Sequence, residues 1–146
     1  MAMSATKSVF ADVSSRSLAV RGGIVLVLSM IGNAVVLALV QAREIAPDFR
    51  ALSFPPVLFL SAVGAVGAAA VYWVLERRVD YPARTFRRIA AAVLVVPFGP
   101  DLALLAADEA ATMPGVIALM LMHVVVAAVA VGVLAGWTGE AREAER

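Results

Sequence analysis

Four stretches of this chain are long and apolar enough to cross a lipid bilayer as helices, and that one property decides most of what the chain can become. Residues 18–40, 55–75, 89–107 and 114–137 each come close to or exceed the roughly 20 apolar residues that a helix needs to cross a hydrocarbon core about 30 Å thick. No charged residue occurs from Gly22 to Val40. Of the 146 residues, 62% are hydrophobic and 16% charged. A water-soluble domain of this size cannot hide so much apolar surface, because a small domain buries only part of what its chain exposes. The expected fold class is all-α, an integral membrane up-down-up-down four-helix bundle, since short connections force consecutive helices to lie side by side. Pro55, Pro56 and Pro114 fall in the first turns of their helices, where a missing N–H costs nothing.

The domain plan that follows is a loosely ordered cytoplasmic leader over 1–17, a four-helix transmembrane domain over 18–138, and a charged cytoplasmic tail over 139–146. The leader is rich in Ser and Ala, a composition typical of poorly tied termini. The stretch "LALVQA" is similar to a signal-peptide cleavage site, but both the apolar run and the polar leader are too long for one.

Orientation follows from the cations, which cluster on the cytoplasmic side of membrane proteins. Lys7, Arg16 and Arg21 precede the first span. Arg77, Arg78, Arg84, Arg87 and Arg88 form a basic loop between the second and third, and Arg142 and Arg146 follow the fourth. Only Arg43 and Arg50 of the 12 basic residues fall on the other side. Both termini and the basic loop are therefore expected in the cytoplasm and the spans in the plasma (cell) membrane. Trp73 and Trp137 then sit near the cytoplasmic helix ends, where interfacial indoles belong.

The third span breaks the pattern. "VLVVPFGPDLALL" places Pro97, Gly99, Pro100 and Asp101 inside an apolar run. Neither proline can donate a helical hydrogen bond, so the carbonyls of Val93 and Val96 lose their partners and a kink is expected. Gly99 allows a bend or the close approach of a neighbour. Counting 1.5 Å per residue from the outer helix ends puts Asp101 about 9 Å deep, Asn33 about 12 Å, His123 about 13 Å, and Ser61 at a similar depth. Each span thus supplies one polar side chain to a common layer in the outer half of the bundle. Ser29 lies one turn from Asn33 on the same face. Ser61, Gly64, Ala65 and Ala68 form a stripe of small residues of the kind that lets membrane helices pack closely. These polar groups are expected to face the interior.

A lone carboxylate in low dielectric needs a partner, and His123 is the single histidine of the chain. Asp101, His123, Asn33 and Ser61 are therefore the candidate intramembrane polar site. Two readings stay open for the acid and the histidine. They can act as structural hydrogen-bonding groups that lock the third span to its neighbours, or they can handle protons or contact a ligand. For Asn33, interhelical adhesion is the simpler account.

Other chemistries find no support. The chain has no cysteine, which excludes disulfides, thiol catalysis and cysteine-ligated metals. One histidine, one carboxylate and the scattered Met30, Met120 and Met122 do not make a metal or haem ligand set, and no cofactor is expected. No G-x-S-x-G, phosphate-binding glycine loop or H-E-x-x-H occurs, so the chain is not expected to be an enzyme. "ERRVDYPARTFRR" is suited to anionic lipid headgroups, although its topogenic role explains it without a partner. No aromatic platform accompanies these arginines, so nucleic acid is not expected as a partner. Gly132 and Gly136 form a G-x-x-x-G pair, a candidate seam for a homo-oligomer or a membrane protein partner, or equally for internal packing.

"RTFRRIAAAVLVV", "PDLALL", "ALMLMHVVVAAVAV" and "FPPVLFLSAVGAVGAA" together resemble a family of small, uncharacterised four-helix membrane proteins of bacteria and archaea, a domain of unknown function. The resemblance covers most of the chain from the first span onward. It implies a four-span integral membrane protein with the arginine loop, the Pro-Asp pair and the Met-His pair as hallmarks, and directs attention to Arg84, Phe86, Pro100, Asp101 and His123. It brings no activity. Two kinds of function are then expected to compete. The leading one is a structural or accessory membrane protein held together by its polar layer. The other is a small proton-linked transport protein, or an intramembrane ligand-binding or sensor protein, using Asp101 and His123.

Overall fold

The computed structural model describes residues 2–136, with side chains from residue 17 onward. Trp137, Arg142, Arg146 and the 139–146 tail lie outside the described residues, as do the side chains of Lys7 and Arg16. The protein is all-helical over the described residues. Helix α1 (Ala2–Ala42) is followed by a 3-10 turn (Arg50–Leu52), α2 (Phe54–Arg78), α3 (Pro82–Val95), α4 (Phe98–Ala107), α5 (Met113–Ala130) and a π-helical turn (Val131–Gly136). Four segments, Ser17–Ala42, Phe54–Arg78, Pro82–Ala107 and Met113–Gly136, are long and apolar enough to span a membrane. The backbone of α1 extends back through most of the leader expected to be loosely ordered, while its membrane-length apolar part begins at Ser17.

Each long helix buries one narrow stripe. On α1 it runs through Leu18, Val25, Ser29, Asn33, Leu37 and Val40, and on α2 through Val57, Ser61, Ala65, Tyr72 and Leu75. Steps of three and four residues keep such a stripe on one side of a helix. The opposite sides carry large apolar residues in the open, among them Leu39, Phe59, Val96 and Ile117. A surface of this kind suits hydrocarbon and not water. At one end, Leu18, Tyr72, Leu75, Ala83, Phe86 and Leu134 form one core cluster. At the other end, Leu37, Phe49, Leu52, Val57, Val116 and Met122 form a second. Close approach is built in between them. A Cβ added at Gly32 would stand 2.8 Å from Val125 Cγ1, so α1 and α5 cross where only glycine fits.

The third span departs from expectation in two ways. It begins at Pro82 and not at 89, so the basic loop expected over 76–88 shrinks to residues 79–81. Arg77 and Arg78 lie in the last turn of α2, and Arg84, Arg87 and Arg88 in the opening turns of α3. The physical reason is that Pro82 starts the helix, and long arginine stems can lie along apolar surface while their heads reach polar surroundings. Counting only uncharged residues misses these turns. The span is also two helices: α3 ends at Val95 and α4 starts at Phe98. The Val93 carbonyl that Pro97 cannot serve accepts instead from the Val96 N–H at 3.2 Å, and the Asp101 N–H restarts the ladder on Pro97 O at 3.0 Å. Gly99 meets no neighbour within 4 Å at its Cβ position, so no close approach requires it.

Candidate functional site

The broken span touches the rest of the protein mainly near its two ends. Ala83 and Phe86 are buried at one end and Asp101 at the other, with no buried residue between Phe86 and Asp101. The middle stands off from α2. The gap is a cavity of about 770 Å³ walled by α2, α3, α4 and α5, with Asn33 of α1 contributing to its lining. Ligand pockets typically measure roughly 300–1,000 Å³. Its walls are largely apolar, and the four side chains Asn33, Ser61, Asp101 and His123 all line it. Pro97 and Pro100 line it as well, because the kink turns that part of the span across the gap.

Hydrogen bonding fixes how these groups are oriented. Ser61 Oγ donates to its own helix at Val57 O, 2.6 Å away. A hydroxyl has one proton, so Ser61 must accept from Asn33 Nδ2 at 2.7 Å. That orients the amide, and Asn33 Oδ1 is left buried without a partner. His123 Nδ1 lies 2.9 Å from Leu119 O. A carbonyl only accepts, so Nδ1 carries the hydrogen and Nε2, on the far edge of the ring, is an acceptor in the neutral imidazole. Asp101 Oδ2 stands 3.3 Å from the same Nδ1, within ion-pair distance. The hydrogen is already engaged by Leu119 O, and Oδ2 has no hydrogen bond of its own. Ser29 Oγ, fully buried one turn from Asn33, is likewise unpartnered.

The expected site residues thus gather around one space, as two pairs: Asn33 with Ser61, and Asp101 with His123. The basic residues separate. Arg87 Nη2 donates to Ala135 O at 2.8 Å, Arg77 lies over the Trp73 ring at 3.8 Å, and Arg84 lies over Tyr81 at 5.6 Å. Arg78 and Arg88 are exposed. Gly132 is exposed with open space at its Cβ position. Among the described residues, no three His, Cys, Asp or Glu side chains converge on a point where a metal could sit.

Sequence reasoning missed a second polar centre. Arg21 Nη2 pairs with Glu76 Oε1 at 3.2 Å and Arg21 Nη1 reaches Leu134 O at 3.5 Å. Tyr72 and Phe86 meet edge-to-face beside it, with ring centroids 5.2 Å apart. The signal was present. Arg21 is four residues before Val25 and Glu76 four after Tyr72, so each continues its helix's buried stripe to the end.

These features define an all-helical protein with four helices able to span a membrane and a polar-seated cavity between them. The model of a family of unknown function, DUF6069, matches residues 12–140, and the chain belongs to that family. No curated protein and no solved structure matches the chain.

Proposed function

We propose that the protein is a non-enzymatic integral membrane protein of the plasma membrane that holds a lipophilic small molecule in the cavity between α2 and the broken third span. Its helices run up-down-up-down with both termini in the cytoplasm, and the exposed Arg78 and Arg88 face anionic headgroups there. The observation that carries this reading is the cavity itself, about 770 Å³ with largely apolar walls and lined by the four polar residues Asn33, Ser61, Asp101 and His123. A space of that size lies within the range of ligand pockets, and a few polar groups among apolar walls are what such pockets use to orient an occupant.

Gly67 lines the cavity and has nothing within 4 Å of its Cβ position, so the first atom of a Phe side chain has room there and Gly67→Phe is the variant chosen to block the space. In lipid nanodiscs, 1-decanol should raise the melting temperature of the full chain saturably, because a ligand that binds only the folded state stabilises it. The rise should vanish in Gly67→Phe, with the melting temperature of the free protein retained. An equal rise in both proteins would mean that decanol acts through the bilayer, and the cavity would have no binding role.

A further inference from the structure

Resting on that reading, we infer that the occupant is one anionic phospholipid of the cytoplasmic leaflet, with one acyl chain in the cavity and its phosphate on Arg78. Leu60, Gly64, Gly67 and Val71 line the cavity and are also exposed on the outer surface of α2. They form one rim of an opening toward the hydrocarbon, faced across the gap by the exposed Val93 and Val96. Steps of three and four keep such a row on one side of a helix, and a further step of seven, two turns, carries it to Arg78. Arg78 is exposed and makes no hydrogen bond, ion pair or ring contact among the described residues. Its neighbours are committed, Arg77 to the Trp73 ring, Arg84 to the Tyr81 ring and Arg87 to Ala135 O. An uncommitted cation thus stands at the foot of an apolar opening.

The lengths fit one chain of the near leaflet. Arg78 lies seven residues, about 10 Å, beyond Val71, which leaves room for a head group and glycerol. From Val71 to Ser61 is ten residues, about 15 Å. One leaflet contributes half of a hydrocarbon core about 30 Å thick, so a chain that enters beside Val71 ends at the Asn33–Ser61 pair. Leu75 and Ala83 are buried beyond the cytoplasmic end of the gap, which leaves the side as the way in. A side opening also lets the second chain of the lipid stay in the bilayer. Guanidinium binds phosphate through paired, charge-assisted N–H bonds. In a zwitterionic head the phosphate already has a cation beside it, so an anionic lipid is favoured.

Native mass spectrometry of the full chain from dodecyl maltoside micelles counts the lipids bound per chain. One dioleoyl phosphatidylglycerol per chain should bind saturably, at least fivefold more tightly than dioleoyl phosphatidylcholine. Arg78→Gln should weaken that binding about fivefold, the effect of one arginine at an anionic surface. Arg88→Gln should leave it unchanged, because Arg88 lies on the side of α3 away from the cavity-lining Phe86, Ala90 and Val93. Gly67→Phe should abolish it. Equal losses in Arg78→Gln and Arg88→Gln would show diffuse surface charge and overturn the proposal. Full binding to Gly67→Phe would put the lipid outside the cavity and overturn it as well. Equal binding of the two lipids would show that no charge is read, and a lipid-free species of two chains would place a second copy over the gap; either result overturns the proposal. Decanol stabilisation with neither phospholipid bound would remove the phospholipid and leave the cavity its binding role. Loss of both would remove that role too.

Discussion

Arg21 Nη2 lies 3.2 Å from Glu76 Oε1, with the two side chains only 15% and 14% exposed, so a charge pair closes the bundle where the apolar part of α1 meets the end of α2. The same guanidinium lies 5.6 Å from the Tyr72 ring centroid and reaches the π-helical turn at Leu134 O. Arg87 holds the next carbonyl of that turn, Ala135 O. Two arginines from different helices thus engage the end of the fourth span through charge-assisted bonds, which are stronger than neutral ones.

Truncating Arg21 removes its contact with Glu76 Oε1 at 3.2 Å and its bond to Leu134 O together. Arg21→Ala is therefore expected to cost about 3 kcal/mol, read as unfolding free energy in mixed micelles. Arg21→Met with Glu76→Leu should cost clearly less than the two single changes added together, since residues in direct contact couple and the shared contact is lost only once. Strict additivity would show that the two residues act independently.

Two glycines should respond oppositely to alanine. At Gly32 the new methyl meets Val125 Cγ1 at 2.8 Å. Valine is stiff about its first side-chain torsion, so α1 and α5 must separate, at a cost of about 1–3 kcal/mol. At Gly99 nothing lies within 4 Å and the backbone is not left-handed. Gly99→Ala should be neutral or stabilise by about 0.5 kcal/mol through the unfolded chain. Thermal unfolding of both variants in one detergent compares them directly.

The contrast shows where the sequence was legible. Length and hydropathy suffice to find four membrane-length helices, because hydrocarbon imposes a length that composition alone can meet. Helix counting also brings Asp101 and His123 to one depth, and they do meet. The extent of the third span was not legible. A rule that stops at charge cannot see that Arg84, Arg87 and Arg88 ride on α3. Nor can local sequence tell that Gly32, and not Gly99, marks a tight contact, since that depends on which neighbour lies opposite. The cavity was out of reach for the same reason. It exists because the middle of α3–α4 stands off from α2, a relation of packing between two helices that the pattern within either one does not record.

The Asn33–Ser61 bond gives a quantitative test of polar adhesion. Ser61→Ala removes the acceptor for Asn33 Nδ2 and leaves the whole amide buried and unmet. Interhelical hydrogen bonds in membranes contribute about 0.6 kcal/mol on average and up to about 1.7, so a loss of about 1 kcal/mol is expected. Asn33→Leu removes the orphaned Oδ1 together with the donor, and should destabilise less than Ser61→Ala despite deleting the same bond. A larger loss for Asn33→Leu would mean that Oδ1 has a partner in the bilayer.

Orientation can be read with single cysteines, because the chain has none of its own. Asp80 is exposed in the short connection between α2 and α3, and Glu109 is exposed between α4 and α5. Ala83, two residues beyond that first connection, is 1% exposed and would report packing instead of sidedness. The basic residues cluster at the ends of α2 and α3 beside Asp80, and cations of this kind resist translocation. A membrane-impermeant maleimide applied to intact cells should therefore label Glu109→Cys and spare Asp80→Cys until the membrane is permeabilised. Labelling of both from outside would mean that α3–α4 does not cross the bilayer. Labelling of Asp80→Cys alone would invert the protein and place the arginines outside.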